Sequence, residues 1–161
     1  RPIELMRHAP LPSRKGCEPR SATWVRVALS DAGPLDVINT HLSFRRGERL
    51  GQIDALLGPE WLGGDRLEPR TILCGDLNCS PRDPGFRRLR GLLVDAQTAG
   101  AGSRVYATWP TRRPFRRIDH ILATPALRVR SASPPNRPGN PRAPAVGIAS
   151  DHLPLVAELD G

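Results

Sequence analysis

No stretch of this sequence approaches the roughly 20 consecutive apolar residues that a membrane-spanning helix needs. No charged-then-apolar leader opens it, so the sequence leaves localisation open between cytoplasmic and secreted. Cysteine is scarce: Cys17, Cys74 and Cys79 are an odd set at spacings that fit no disulfide framework. Cys74 and Cys79 stand four residues apart with no second pair to complete a zinc site, and all three read as small buried hydrophobes. Aromatics are only 4% of the chain, while 18 prolines and 15 glycines argue against long helices and for many turns. Lysine is nearly missing, since Lys15 is alone among 24 basic residues.

What remains is arginine. The formal charge of +8 is carried almost wholly by a side chain whose planar fork grips phosphate in two places at once. A phosphate-bearing partner fits such a surface; so does a compositional bias that enriches Arg, Pro, Ala and Gly together. At 161 residues and 39% apolar, the chain is sized for one domain with one core, spanning 1–161.

Residues 1–20 mix prolines and basic residues without a period, which predicts an irregular edge or loop. The alternation in 22–29, a turn at "DAGP" and the apolar run 35–42 predict a hairpin. Leu50, Ile53, Leu56, Leu57 and Trp61 recur at three- and four-residue steps, predicting a helix over 46–62 that ends at Gly63 and Gly64. A buried strand follows at 71–74, then a short helix around 84–93. Further strands are expected at 117–123, 127–131 and 152–159, with an exposed loop over 134–144.

Four short motifs fall at the ends of these predicted strands: "NTHL" with His41, "GDLN" with Asp76 and Asn78, "RIDHIL" with Asp119, and "SDHLPL" with Asp151 and His152. Singly each has an ordinary explanation, since Asp and Asn after a strand are usually turn formers and an acid in an apolar run can be a paired core group. Jointly they supply what metal-assisted phosphoester hydrolysis requires. Carboxylates can hold a hard cation and activate water, and imidazole and amide groups can meet the charge that develops on phosphate. The segment "YATWPTRRPFRRIDHIL" adds Arg112, Arg113, Arg116 and Arg117 among Trp109 and Phe115. It reads either as a nucleic-acid grip or as a solvated loop leading into a strand.

In this order and wording, the four motifs resemble the endonuclease/exonuclease/phosphatase superfamily, over a stretch from about Glu18 to the C-terminus. The resemblance implies an α+β sandwich of two packed, mainly antiparallel sheets flanked by helices, with the N-terminal strands missing here. It implies a metal-dependent phosphoesterase in which Asp76 deprotonates the attacking water while Asn78 and His41 hydrogen-bond the scissile phosphate. His152 would meet the transition-state charge, oriented and kept cationic by Asp119. Asp151 would serve a metal site, usually Mg2+ with Mn2+ as the alternative, and Arg20 falls where relatives place a phosphate-facing base. The implied substrate is a phosphate ester, whether nucleic acid, phospholipid head group or inositol phosphate, acted on by a monomer. The family's early strand ending in Asn and later strand ending in the principal metal-binding Glu have no match, and neither Glu4 nor Glu18 follows a buried strand. The 161 residues by themselves are therefore expected to show little activity and a longer parent to show more. The competing reading is a non-catalytic module that binds phosphate or nucleic acid.

Overall fold

The computed structural model of the chain describes residues 2–29, 33–99, 104–135 and 150–160. Six strands form one mixed sheet: β1 (Ile3–Pro10), β2 (Ser21–Val27), β3 (Leu35–Thr40), β4 (Thr71–Asp76), β5 (Val94–Asp95) and β6 (Asp119–Ala123), in the spatial order β1-β2-β3-β4-β6-β5. All neighbours are antiparallel except β3 and β4, which run parallel because helix α1 (Arg46–Leu56) carries the chain back across one face. A second, two-stranded antiparallel sheet pairs β7 (Arg128–Ser133) with β8 (Val156–Asp160). Two further helices are short, α2 (Pro84–Leu89) and α3 (Ala96–Ala99). The α+β architecture expected from the sequence is the observed one.

The alternation of side chains along each strand separates two apolar layers. Ala22, Trp24, Ile38, Leu73 and Leu122 turn to the face covered by Ile53 and Leu56 of α1 and by Phe86 and Leu89 of α2. Ile72, Ala123, Cys74 and Ile121 turn to the other face and meet Leu127, just ahead of the second sheet, and Leu159 within it. No described helix is long and apolar enough to cross a membrane.

The hairpin expected over 22–42 is β2 and β3, in register from Ala22 opposite Thr40 to Val27 opposite Leu35. Three expectations need correction. The opening segment, expected to be irregular, contains β1, which lies at the sheet edge and pairs with β2. Its side chains are mostly exposed, with Ile3 at 66% and Leu5 at 63%; Arg7, over the Trp61 ring, and Ala9, against the core, are half-buried, so no buried stripe marks it and it is defined by its pairing with β2. The helix expected to reach residue 62 stops at Leu56, because Pro59 offers no amide hydrogen and restricts Gly58 before it. Trp61 and Leu62 still enter the core, from a turn held by the Leu62 amide on the Leu56 carbonyl. Finally, β8 starts at Val156 and not at residue 152. Most of the loop expected over 134–144 lies outside the described residues.

A buried polar network fastens the loop after β3. The Glu48 carboxylate accepts from Ser43 Oγ at 2.7 Å, Ser13 Oγ at 3.0 Å and the Arg14 amide at 3.0 Å. Gln52 accepts from the Ser43 amide at 2.8 Å and donates to the Pro12 carbonyl at 3.1 Å. These hydrogen bonds, led by that from Ser43, hold the Glu48 carboxyl at about 2 against an ordinary 4.5. A carboxyl held below its unfolded value stabilises the fold above that value and loses its contribution as pH falls from about 4.5 towards 2. Glu48→Gln is expected to lower the thermal midpoint at neutral pH and to flatten its decline over that acid range. Parallel melting curves of wild type and variant from pH 7 to pH 3 check this, and identical pH slopes would contradict it.

Candidate active site

Antiparallel pairing of β4 with β6 sets Asp76 directly opposite Asp119, so two carboxylates meet at the sheet edge. His152 joins them from the segment ahead of β8, its Nδ1 2.8 Å from Asp119 Oδ2. Ligand atoms of Asp76, Asp119 and His152 all lie within 4.8 Å of one another, an arrangement that could hold a metal ion. His41, just beyond the end of β3, places Nε2 3.3 Å from Asp76 Oδ2, and His152 Nε2 is 4.0 Å from the same oxygen.

The neighbours of each group explain its state. Asp76 Oδ1 accepts the Asn78 amide at 2.9 Å, closing an Asx turn that puts Asn78 in the left-handed region at φ 49°. The Asn78 side-chain amide donates to the Leu42 carbonyl at 2.8 Å, tying "GDLN" to the loop that bears His41. Burial pushes the Asp76 carboxyl above the usual carboxylate range; the Asn78 amide opposes this, the charge of Asp119 adds to it, and the two histidines oppose it. Burial alone would lower His152, but its hydrogen bond to Asp119 and the charges of Asp119, Asp76 and Asp151 outweigh that and hold it above its ordinary value. The imidazole is thus biased towards the cation.

Thr108 was not legible as a site residue. Fully buried, it donates from Oγ1 to Asp119 Oδ2 at 2.5 Å, and its carbonyl accepts the Leu153 amide at 2.8 Å. The Thr111 amide likewise reaches the Asp151 carbonyl at 2.8 Å, and Thr111 Oγ1 the Ser150 carbonyl at 2.9 Å. These bonds hold residues 150–153 against the "ATWPT" segment, and His152 reaches the cluster from a bend at residues 151–152 and not from a strand end. Only the position of "ATWP" shortly before "RRIDHIL" could have pointed to Thr108.

Asp151 stands outside the three-residue group, and its Oδ2 accepts from the Trp109 indole at 3.2 Å. Arg20 pairs with Glu18 at 2.8 Å; among the described residues it makes no ion pair with the cluster. Two cavities flank the site. One of about 540 Å3 is lined by Asp119, His152, Cys74 and Ile121, and one of about 490 Å3 has Asn78 in its wall.

Two carboxylate oxygens at one point suit a hard divalent cation, and the elevation of Asp76 by Asp119 is a repulsion such an ion would relieve. The donor chemistry therefore fits the metal that the sequence resemblance implies.

Comparisons with known proteins bear on the fold and the family. The chain superposes on a mannosyl-6-phosphatase from Bacteroides thetaiotaomicron with a TM-score of 0.72 at 20% identity, covering 99% of this chain and 67% of that one. It superposes on the human Nocturnin catalytic domain, solved with a bound sulfate anion, with a TM-score of 0.67 at 23% identity, covering 98% and 59%. An endonuclease/exonuclease/phosphatase from Beutenbergia cavernae gives 0.71 at 25% identity, covering 94% of this chain and 43% of that one. The chain thus spans about two thirds of the first of these structures and less of the other two. No curated protein matches significantly. The model of the Endonuclease/Exonuclease/phosphatase family matches residues 7–152, nearly the whole chain. The chain belongs to the endonuclease/exonuclease/phosphatase family.

Proposed function

We propose that this protein is a metal-dependent hydrolase that cleaves a phosphoester by attack of water activated at Asp76. The observation that supports this most is the convergence of Asp76, Asp119 and His152, from three separate segments, within 4.8 Å. A module that only binds phosphate has no use for a carboxylate of raised basicity beside an Asp-oriented imidazole. Names among the solved relatives support the same substrate class, since one is a phosphatase and another holds sulfate, a phosphate mimic.

In this reading Asp76 takes the proton of the attacking water. Asn78 and His41, fixed beside it, donate to the phosphate. Asp119, held by Thr108, fixes the tautomer and angle of His152, so that the Nε2 proton meets the oxygen on which charge builds. Asp76 and Asp119 would hold the ion, Mg2+ in the first instance and Mn2+ as its substitute, with Asp151 contributing from the next position to His152. When bound, the ion supplies positive charge to the phosphoryl oxygens. Arg20 adds charge for the incoming phosphate.

The test is hydrolysis of bis-p-nitrophenyl phosphate by the full-length protein with Mg2+, with and without a chelator. Chelator-sensitive turnover is expected, and no turnover under any metal would sink the reading. Because His152 is needed protonated, the rate is expected to fall as pH rises through its elevated pKa. Asp119→Asn removes the group that elevates it, so this alkaline limb should move to lower pH, and a limb that stays in place would contradict the assignment.

A further inference from the structure

The cavity on the Asn78 side is not used by the mechanism above, yet it adjoins it, since the Asn78 amide is bonded to the base Asp76. Its volume of about 490 Å3 falls within the roughly 300–1,000 Å3 of small-ligand sites. Two loops form its walls, residues 78–83 after β4 and residues 115–118 before β6.

The inner arginines are neutralised. Arg49 pairs with Asp83 at 2.9 Å, and Arg117 pairs with Asp95. At the mouth the balance differs: Arg82 and Arg116 are exposed, and among the described residues neither has a carboxylate partner. Arg116 instead lies 5.8 Å from the Trp109 ring centroid. Phe115, next to Arg116 in the same wall, is 72% exposed, a costly place for a large apolar ring unless something covers it. The ring is nevertheless held. The Phe115 amide donates to the Trp109 carbonyl at 3.0 Å, and the Trp109 indole meets the ring edge-on at 5.8 Å between centroids. Buried Arg49, which lines the cavity, donates to the carbonyl of Phe44, a second ring exposed at 68% with the Arg45 guanidinium over it.

We infer that this cavity binds the nucleotide next to the scissile phosphate of a single-stranded nucleic acid, with its base stacked on Phe115 and its phosphate held by Arg82 and Arg116. Unpaired guanidinium groups answer a phosphate, and an uncovered ring beside them answers a planar base. The inference rests on the phosphoesterase reading and narrows its substrate class.

Binding of a fluorescein-labelled thymidine dodecanucleotide, measured by anisotropy in chelator so that nothing is cleaved, tests it against an abasic strand of the same length. Wild type is expected to prefer the thymidine strand by about tenfold, the scale of one stacked base. Phe115→Ala and Phe115→Leu should both erase that preference, the second keeping apolar bulk without a ring. Arg82→Ser with Arg116→Ser should weaken both strands and flatten the salt dependence by about two phosphate contacts. Equal binding of the two strands by wild type, or a preference that survives both Phe115 variants, overturns the inference. Hydrolysis of bis-p-nitrophenyl phosphate is followed in parallel: its absence removes the phosphoesterase reading itself, while base-independent binding beside intact hydrolysis removes only the nucleotide site.

Discussion

Asp76→Asn is expected to lower metal-dependent phosphoester hydrolysis by roughly a thousandfold, within the 10²–10⁴ range typical of removing a general base. Asparagine keeps the side-chain oxygen that accepts the Asn78 amide at 2.9 Å, so the Asx turn and the position of Asn78 should survive. What is lost is the proton acceptor and half of the paired negative charge opposite Asp119. The loss should therefore appear in kcat together with a weaker affinity for metal, and the far-ultraviolet spectrum and melting temperature should stay close to wild type. A variant that retains more than a tenth of wild-type kcat would show that water is activated elsewhere.

Gly75→Ala acts on the frame that holds this acid. Gly75 sits at φ 131°, where a side chain is strained, and a Cβ there would fall 2.0 Å from the Thr40 carbonyl oxygen and 3.0 Å from its carbon. That backbone has nowhere to go: Thr40 is paired with Ala22 in the sheet, and two residues on the Leu42 amide donates to the Asp76 carbonyl at 2.9 Å. Strain at a glycine-only φ costs about 1–3 kcal/mol and an unrelieved clash about as much again, so a destabilisation of roughly 3–5 kcal/mol is expected. Against a total of about 5–15 kcal/mol for a domain, that leaves little. Urea unfolding would measure it, and a loss below about 1 kcal/mol would mean that the β3 and β4 ends can separate, contrary to the pairing described. The close approach has a purpose in the proposed mechanism, because it brings His41 beyond β3 within 3.3 Å of Asp76 at the end of β4.

The chemistry-bearing residues were legible in the sequence because their local wording is short-range. "GDLN" is a strand end followed by an Asx turn, and "RIDHIL" is an acid at the head of an apolar strand, patterns set by nearest neighbours and by side-chain alternation. The hairpin of β2 and β3, the strand β4 and the start of the helix α1 were read in the same way from periodicity. Where burial did not enforce a period, the reading failed. β1 is mostly exposed and has no buried stripe to mark its pairing with β2, and the last turns of the predicted helix gave way to Pro59 while Trp61 and Leu62 kept their place in the core.

By itself the sequence pointed to a set of groups, Asp76, Asp119, Asp151, His41, His152 and Asn78 amid a surplus of arginine, in an order that resembles the family's. Only the tertiary structure decided where they meet. The antiparallel register that opposes Asp76 to Asp119 and the buried Thr108 that anchors both Asp119 and the His152 segment depend on contacts between residues far apart in the chain. Local pattern carries secondary structure and residue type, but a register between strands and a hydrogen bond across forty positions are set by the packing of the whole, and no window of sequence contains them.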